Sequence, residues 1–416
     1  MKKKLIVGAA AAVALVVLAY PTSTWWISRQ VEVRLSEQYA RLSELPFVKV
    51  TKRDFERGFA SSTDTVTFEL FGELSRKLQA THAKSSADAA DMLPLALTIR
   101  NVIRHGPIVN IADGRIASAV VDSEIVFEGE ARAALAKLFG DKKPLSIRTV
   151  IGLDGGGRST LASPPFEVVL PGNGGQALEV KWDGITADIV FASEARQYTM
   201  QGAAPRLVVS DRNGMHAEMT GMRFEAVQHR AFVDEPLLFA GTQRMSVDRF
   251  QIADTAKASA PAMSMQNLTY DILTPVNGEY LDLLAKLAVQ GLEIEGRGFG
   301  PVRYEISLNH LHARTMAKLY RAMMGLYADP TVLAASNDPS KLLAPLAAPA
   351  MELLQHGPEL RIDRISVATP QGEAKFAGHL RLKNSSPEDF SNVFMLIGKL
   401  DVGAEIELPE ALGRRD

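Results

Sequence analysis

Apolar and polar residues alternate along most of this 416-residue chain, and that period of two limits the fold more than any other feature. Val66, Phe68 and Leu70 alternate with Thr65, Thr67 and Glu69, and Leu145, Ile147, Thr149, Ile151 and Leu153 form a second stripe. Leu178, Val180 and Trp182 lead into Ile185, Ala187, Ile189 and Phe191. Leu207 and Val209, then Met215, Ala217 and Met219, continue the pattern, and Val302 to Leu308 and Ala374 to Leu382 repeat it. Successive side chains of a strand point to opposite faces, so each stripe marks a strand with one buried and one wet face, as in antiparallel sheet. Turn chemistry sits at the joints: Asp113-Gly114, Asp154-Gly155, Asp183-Gly184, Asn213-Gly214 and Gln371-Gly372. Asn213-Gly214 is the strongest hairpin signal among them. Gly296-Arg297-Gly298-Phe299-Gly300 looks superficially like a nucleotide loop, but Pro301 and an alternating strand follow it. A phosphate loop needs a helix N-terminus there, so this segment reads as a hairpin turn.

A few segments switch to helical spacing. Ile27, Val31, Leu35, Tyr39, Leu42 and Leu45 recur at three or four residues until Pro46, which predicts an amphipathic helix over 28–46 packed on the sheet. Asn277 is expected to cap a helix with Tyr280, Leu283, Leu284 and Leu287 facing inward. His312 to Leu326 predicts another, and Leu342 to Gln355 a third that Pro345 and Pro349 kink or split. Ser386-Pro387-Glu388-Asp389 has the cap, proline and acids of a helix start. The fold class that follows is α+β: a large curved, mainly antiparallel sheet with a few packed helices, plus one N-terminal membrane helix. The expected divisions are a signal anchor at 1–27, the amphipathic helix at 28–46, a β-rich lobe at 47–250 and an α+β lobe at 251–416. The two lobes are either separate or continuous.

The membrane helix is read from the first residues. Lys2, Lys3 and Lys4 precede an unbroken apolar run from Leu5 to Tyr20, with Leu15 inside it, and Trp25-Trp26 stand where an aromatic belt would meet the next interface. The one late cleavage candidate, Val17-Leu18-Ala19, is poor, so of an uncleaved signal anchor and a cleaved signal peptide the run favours the anchor, with the bulk of the chain exported either way. The formal charge of −2 then divides: without those lysines the body holds 43 basic against 48 acidic residues. So mildly acidic a body argues against nucleic acid as a partner and against attraction to anionic lipid heads. Zero cysteines exclude a disulfide scaffold, a lipid-modified cysteine anchor, thiolate zinc sites and a thiol nucleophile, and suit an oxidising compartment.

Few residues point to chemistry. His105-Gly106-Pro107 has an echo in His356-Gly357-Pro358. A duplicated histidine site and a shared structural turn are the two readings, and glycine with proline favours the turn. His310-x-His312 is the one close histidine pair; on a strand it could ligate a metal given a third ligand, whereas on a helix the two would diverge. Met215, Met219, Met222 and Met245 occupy inward-type positions and could line an adaptable apolar groove or fill a core. No Gly-x-Ser-x-Gly, Ser-x-x-Lys, Gly-x-x-x-x-Gly-Lys or His-Glu-x-x-His is present. No cofactor is implied. A glycosidase needs only two facing carboxylates, which spacing along the chain does not reveal.

Basic start and apolar anchor, then Asp54-Phe55-Glu56-Arg57-Gly58-Phe59-Ala60-Ser61-Ser62 running into the strand from Thr65 to Leu70, resemble the opening of the YdgA-like bacterial family. A His-Gly-Pro near position 105, a Leu308-to-Met316 stretch opening a helix and a late Gly-Pro turn are similar as well. The resemblance covers most of the chain and implies an inner-membrane-anchored protein facing the periplasm of Gram-negative bacteria, of unestablished activity; it carries over no catalytic residue. The expected function is a non-enzymatic envelope binding or assembly factor that contacts a lipid or a partner protein, with a second copy of the chain also open as a partner. A lipid-holding form predicts a continuous apolar trough. The alternative is an envelope hydrolase using paired carboxylates on a glycan, which predicts a polar cleft; a plain tethered scaffold predicts neither.

Overall fold

The structure, a computed structural model, describes residues 29–43, 48–70, 95–110, 115–127, 139–171, 177–254, 262–328, 339–383 and 389–409, apart from isolated positions within them. Lys2, Lys3, Lys4, Leu15, Trp25, Trp26, Asp113-Gly114 and Ser386 to Glu388 lie outside the described residues.

The alternating stripes become one open sheet of twenty strands, every pairing antiparallel. Its order follows the chain closely. A helix over 29–43 (α1) precedes β1 (Val48–Glu56), β2 (Ser61–Leu70), β3 (Leu95–Asn110), β4 (Arg115–Val126), β5 (Ser146–Gly152) and β6 (Gly157–Ser163), each strand paired with the next. β7 (Phe166–Pro171) pairs with β8 (Ala177–Trp182), and β9 (Ile185–Phe191) pairs with β6. β8 and β9 both lie along β10 (Gln197–Asp211), which pairs onward with β11 (Met215–Phe232), β12 (Glu235–Asp254) and β13 (Met263–Thr274) in turn. β14 (Val276–Asn277) and β16 (Arg297–Phe299) are short flaps on β15 (Tyr280–Ile294), which lies between β13 and β17 (Val302–His312). After β17 the chain makes α2 (Ala313–Ala328) and α3 (Pro339–Gln355), then returns as β18 (Glu359–Thr369) beside β17. β19 (Gly372–Leu382), α4 (Val393–Gly398) and β20 (Leu400–Glu407) finish the sheet.

Several expectations hold. The Asn213-Gly214, Asp154-Gly155 and Gln371-Gly372 turns join β10–β11, β5–β6 and β18–β19, and the 296–300 segment belongs to a hairpin, its Gly296 in the β15–β16 turn and Arg297 to Phe299 forming β16. The 312–326 helix is α2. Three points differ. Asn277 caps no helix: Asn277↔Tyr280 closes a β14–β15 hairpin, and the leucines lie on a central strand with neighbours on both sides. Leu284 and Ala288 stand on the face that also carries Asp282, Lys286 and Gln290, and these extra apolar residues break the period of two and imitate helical spacing. Asp183-Gly184 is not a hairpin but a kink in one long strand, because β8 and β9 run on along the same partner, with the Asp183 N–H donating to the Arg206 carbonyl at 3.0 Å. Gly184 has φ 94°, and a Cβ there would stand 2.7 Å from the Ser163 carbonyl oxygen. Finally, α3 runs unsplit through Pro345 and Pro349, packed beside α2.

In the middle of the sheet the apolar alternation changes phase along one line. Leu207 gives way to Ala204, Met219 to Met222, Phe250 to Val247, Met265 to Leu268 and Leu292 to Val289. Gly221 (φ 65°) and Asn267 (φ 49°) stand on that line. This is why β12 and β13 show no uniform stripe in the sequence.

Candidate functional site

Side chains of directly paired residues share a face, so the registers place whole rows of residues side by side. One row crosses eight strands: Phe224, Met245, Tyr270, Leu287, Tyr304, Ile365, Phe376 and Ile406. Val247, Leu268, Val289, Val302, Val367 and Ala374 form a second row beside it. The opposite face of the same strands is charged, with Arg364 on Glu373, Lys375 on Glu407 and Lys383 on Asp401. Towards β20 the apolar face opens into a hollow of about 320 Å³ against Val302, Ile365, Val367, Phe376, Ile406 and Leu408. Towards the other strand ends it is closed by the core that α2 and α3 make with the sheet, built on Leu281, Leu311, Ala313 and Leu353 and packed against Leu283 and Leu308.

The candidate methionines divide across the line of changed phase. Met245 is in the long row and Met222 pairs with Ala204 beside it, whereas Met219 belongs to a separate row with Leu207, Phe250, Met265 and Leu292; Met215 is exposed near the β10–β11 turn.

A cluster of rings marks the closed end. Tyr280 and His310 stack with centroids 3.9 Å apart, and so do His312 and His356. His310 Nδ1 donates to the His356 carbonyl at 2.9 Å, which ties the α3–β18 joint to β17. The Thr315 hydroxyl donates to Glu352 at 3.1 Å, so His312 Nδ1–H donates to Thr315 at 2.8 Å. Lys318 also binds Glu352, at 2.6 Å, and holds its carboxyl below the ordinary carboxylate range. Among the described residues no group of three His, Asp or Glu side chains could hold a metal ion. In the pair His310-x-His312 each ring stacks on a neighbour, His310 on Tyr280 and His312 on His356. Burial, and after it the neighbouring His312, pushes the His356 imidazole below its usual value.

That shift has a sign. A histidine whose folded value is depressed favours folding fully above the ordinary value near 6.5 and loses that contribution as pH falls through the lower folded value. Protonation would also set a charged His356 against His312, with only Glu352 and Glu279 to offset it. Thermal unfolding followed between pH 8 and pH 5 is expected to show a falling midpoint, and His356→Asn a shallower fall. A midpoint independent of pH in that window would contradict the reading.

The two His-Gly-Pro segments are in different settings. His356-Gly357-Pro358 ends α3 and aims β18, with Gly357 at φ 67°. His105-Gly106-Pro107 lies inside β3, where the register shifts between His105 and Ile108. His105 is 1% exposed, its Nε2 is 2.9 Å from Ser62 Oγ, and burial lowers its pKa. Its Nδ1 has no hydrogen-bond partner among the described residues, so this Ser–His contact lacks the carboxylate that orients a catalytic histidine. Asp64 escapes a motif search: it sits in the stripe of Ser62, Val66 and Phe68, fully buried, bound by Arg53, Tyr39 and Asn101.

A family model for bacterial proteins of unknown function, DUF945, matches residues 1–415. The chain belongs to that family. No curated protein and no solved structure matches it. For this DUF945 member the described residues also bear on hydrolase chemistry. A polar hollow of about 310 Å³ includes Asp188 and Glu225, but Arg158 holds the Asp188 carboxyl below its ordinary value with bonds of 2.6 and 3.1 Å. The carboxyls of Glu352, Glu373 and Asp401 are likewise held below their ordinary range, first by hydrogen bonds from Lys318, Ser366 and Lys383 respectively. No helix among those residues is long and apolar enough to cross a membrane.

Proposed function

We propose that this DUF945 protein is a YdgA-like, membrane-anchored, non-enzymatic factor of the cell envelope whose body faces the periplasm and holds lipid on its apolar sheet face. The observation that carries the proposal is the eight-strand row from Phe224 to Ile406, which presents aromatic and aliphatic side chains continuously and stays open towards β20. An acyl chain needs only such a surface, with no catalytic group. Apolar contact at about 25 cal/mol per Å² makes a chain of a dozen carbons worth several kcal/mol there. Lys2, Lys3, Lys4 and the run to Tyr20 support the anchor. Native mass spectrometry of detergent-extracted protein is expected to show a bound phospholipid mass, and Tyr304→Asp with Ile406→Asp is expected to remove most of it. Adduct-free wild type, or an adduct indifferent to both substitutions, would overturn the lipid reading.

A further inference from the structure

The sheet has edges, and they are not equally guarded. β1 carries Lys49, Lys52 and Arg53, shifts register between Val50 and Lys52, and has α1 bound to it through Arg53 and Ser36. β7 is six residues long and ends in Pro171. Charge, bulge, shortness and proline are the devices that stop an edge strand from pairing with another chain. β20 has no bulge and no proline, and its only charges are the acids Asp401, Glu405 and Glu407, all on one face. Its sequence from Leu400 to Glu407 contains no lysine or proline, and among the described residues it pairs, without a register shift, with β19 alone.

The backbone of β20 has a defined outward side. Lys383 N–H donates to the Lys399 carbonyl at 2.9 Å, so residue 399 faces β19. Backbone groups of a strand alternate sides, hence 401, 403, 405 and 407 also face β19. The Gly403 carbonyl agrees, lying 2.9 Å from where a Cβ on Gly378 would stand. Leu400, Val402, Ala404 and Ile406 therefore aim their N–H and C=O groups away from the sheet. Val402 and Ile406 are 65% and 66% exposed on the apolar face, and Asp401, Glu405 and Glu407 line the other.

We propose that β20 is a docking edge that receives, by antiparallel strand addition, an extended segment of a partner protein with apolar residues alternating with basic ones. The inner side of β20 already shows this chemistry: β19 offers Phe376 and Leu380 to the apolar face, while Lys375 binds Glu407 and Lys383, just beyond β19, binds Asp401. A second β20 is the poorer occupant, since antiparallel self-pairing sets Asp401, Glu405 and Glu407 on one face with the same acids of the other copy and no new cation. The proposal is independent of lipid binding, which uses the face and not the edge.

The test uses a fluorescent synthetic peptide with the sequence Glu373–Lys383 of this protein, titrated into the full chain in detergent. Saturable binding is expected, with slowed hydrogen exchange at Val402, Ala404 and Ile406. Ala404→Pro removes one outward N–H at a position where an edge strand tolerates proline, and is expected to weaken binding at least tenfold with unchanged circular dichroism. Val402→Lys, which installs an edge guard, should weaken it as well. Absence of binding, equal binding by the variants, or equal binding of a scrambled peptide would overturn the proposal. So would a wild-type dimer that Ala404→Pro dissociates while the peptide stays unbound, since that outcome makes a second copy the occupant.

Discussion

Asp64→Ala is expected to cost about 3–5 kcal/mol of folding stability, the range for removing one partner from a buried ion pair. Asp64 is 0% exposed and accepts from Arg53 Nε at 2.8 Å, from the Tyr39 hydroxyl at 2.6 Å and from Asn101 Nδ2 at 3.3 Å. Removing its carboxylate leaves three donors facing apolar surface, one of them charged, and Arg53 Nη2 is already without a hydrogen-bond partner among the described residues. Burial first, and then the bond to Asp64, push the Tyr39 phenol well above its ordinary value, so it remains a donor at any working pH. The network is also what fastens α1 to β1, β2 and β3, with the Tyr39 ring edge-on to Phe68 at 5.7 Å. Urea unfolding measures the loss, and Arg53→Met with the double variant gives the coupling. A loss below about 1 kcal/mol would show that the pair contributes little beyond its own desolvation.

The second large effect is Ile103→Ala, expected to cost about 2–5 kcal/mol, with Ile103→Val at about 0.5–1.5 kcal/mol. Ile103 is 0% exposed on β3, between Ser62 of β2 and Val121 of β4. No charge is uncovered here, so the cost is lost transfer energy plus the cavity that remains. The graded pair is the check: if the alanine variant costs no more than the valine one, the site collapses and is less closely packed than its burial indicates.

Strands with an unbroken alternation were legible in the sequence and those with an interrupted one were not. β2, β5 and β19 alternate openly because a solvent face demands polar residues. β15 adds Leu284 and Ala288 to its polar face and reads as a helix from Asn277 onward, and β12 and β13 lose their stripe at the line of Gly221 and Asn267. The apolar face was hidden for another reason. Phe224 and Ile406 stand 182 positions apart in the chain yet in one row, and only pairing registers reveal that. His310, His312 and His356 fall in two separate motifs of the sequence; what joins them is the return of the chain through α2 and α3.

Most strands of this sheet pair with a strand beside them in sequence, and that has a kinetic consequence. Loop closure costs little when partners are neighbours, so assembly can start at any hairpin and spread one strand at a time in either direction. Such an array behaves as a chain of nearest-neighbour interfaces and need not unfold in one step. β6 with β9 and β8 with β10 skip strands, but the longest connection between paired strands is the return of β18 to β17 after the 46 residues between His312 and Glu359. Closing that junction is the slow local step expected in an otherwise short-range fold, and it joins β18 to β20, three of the eight strands of the row and its open end, to the rest of the apolar face.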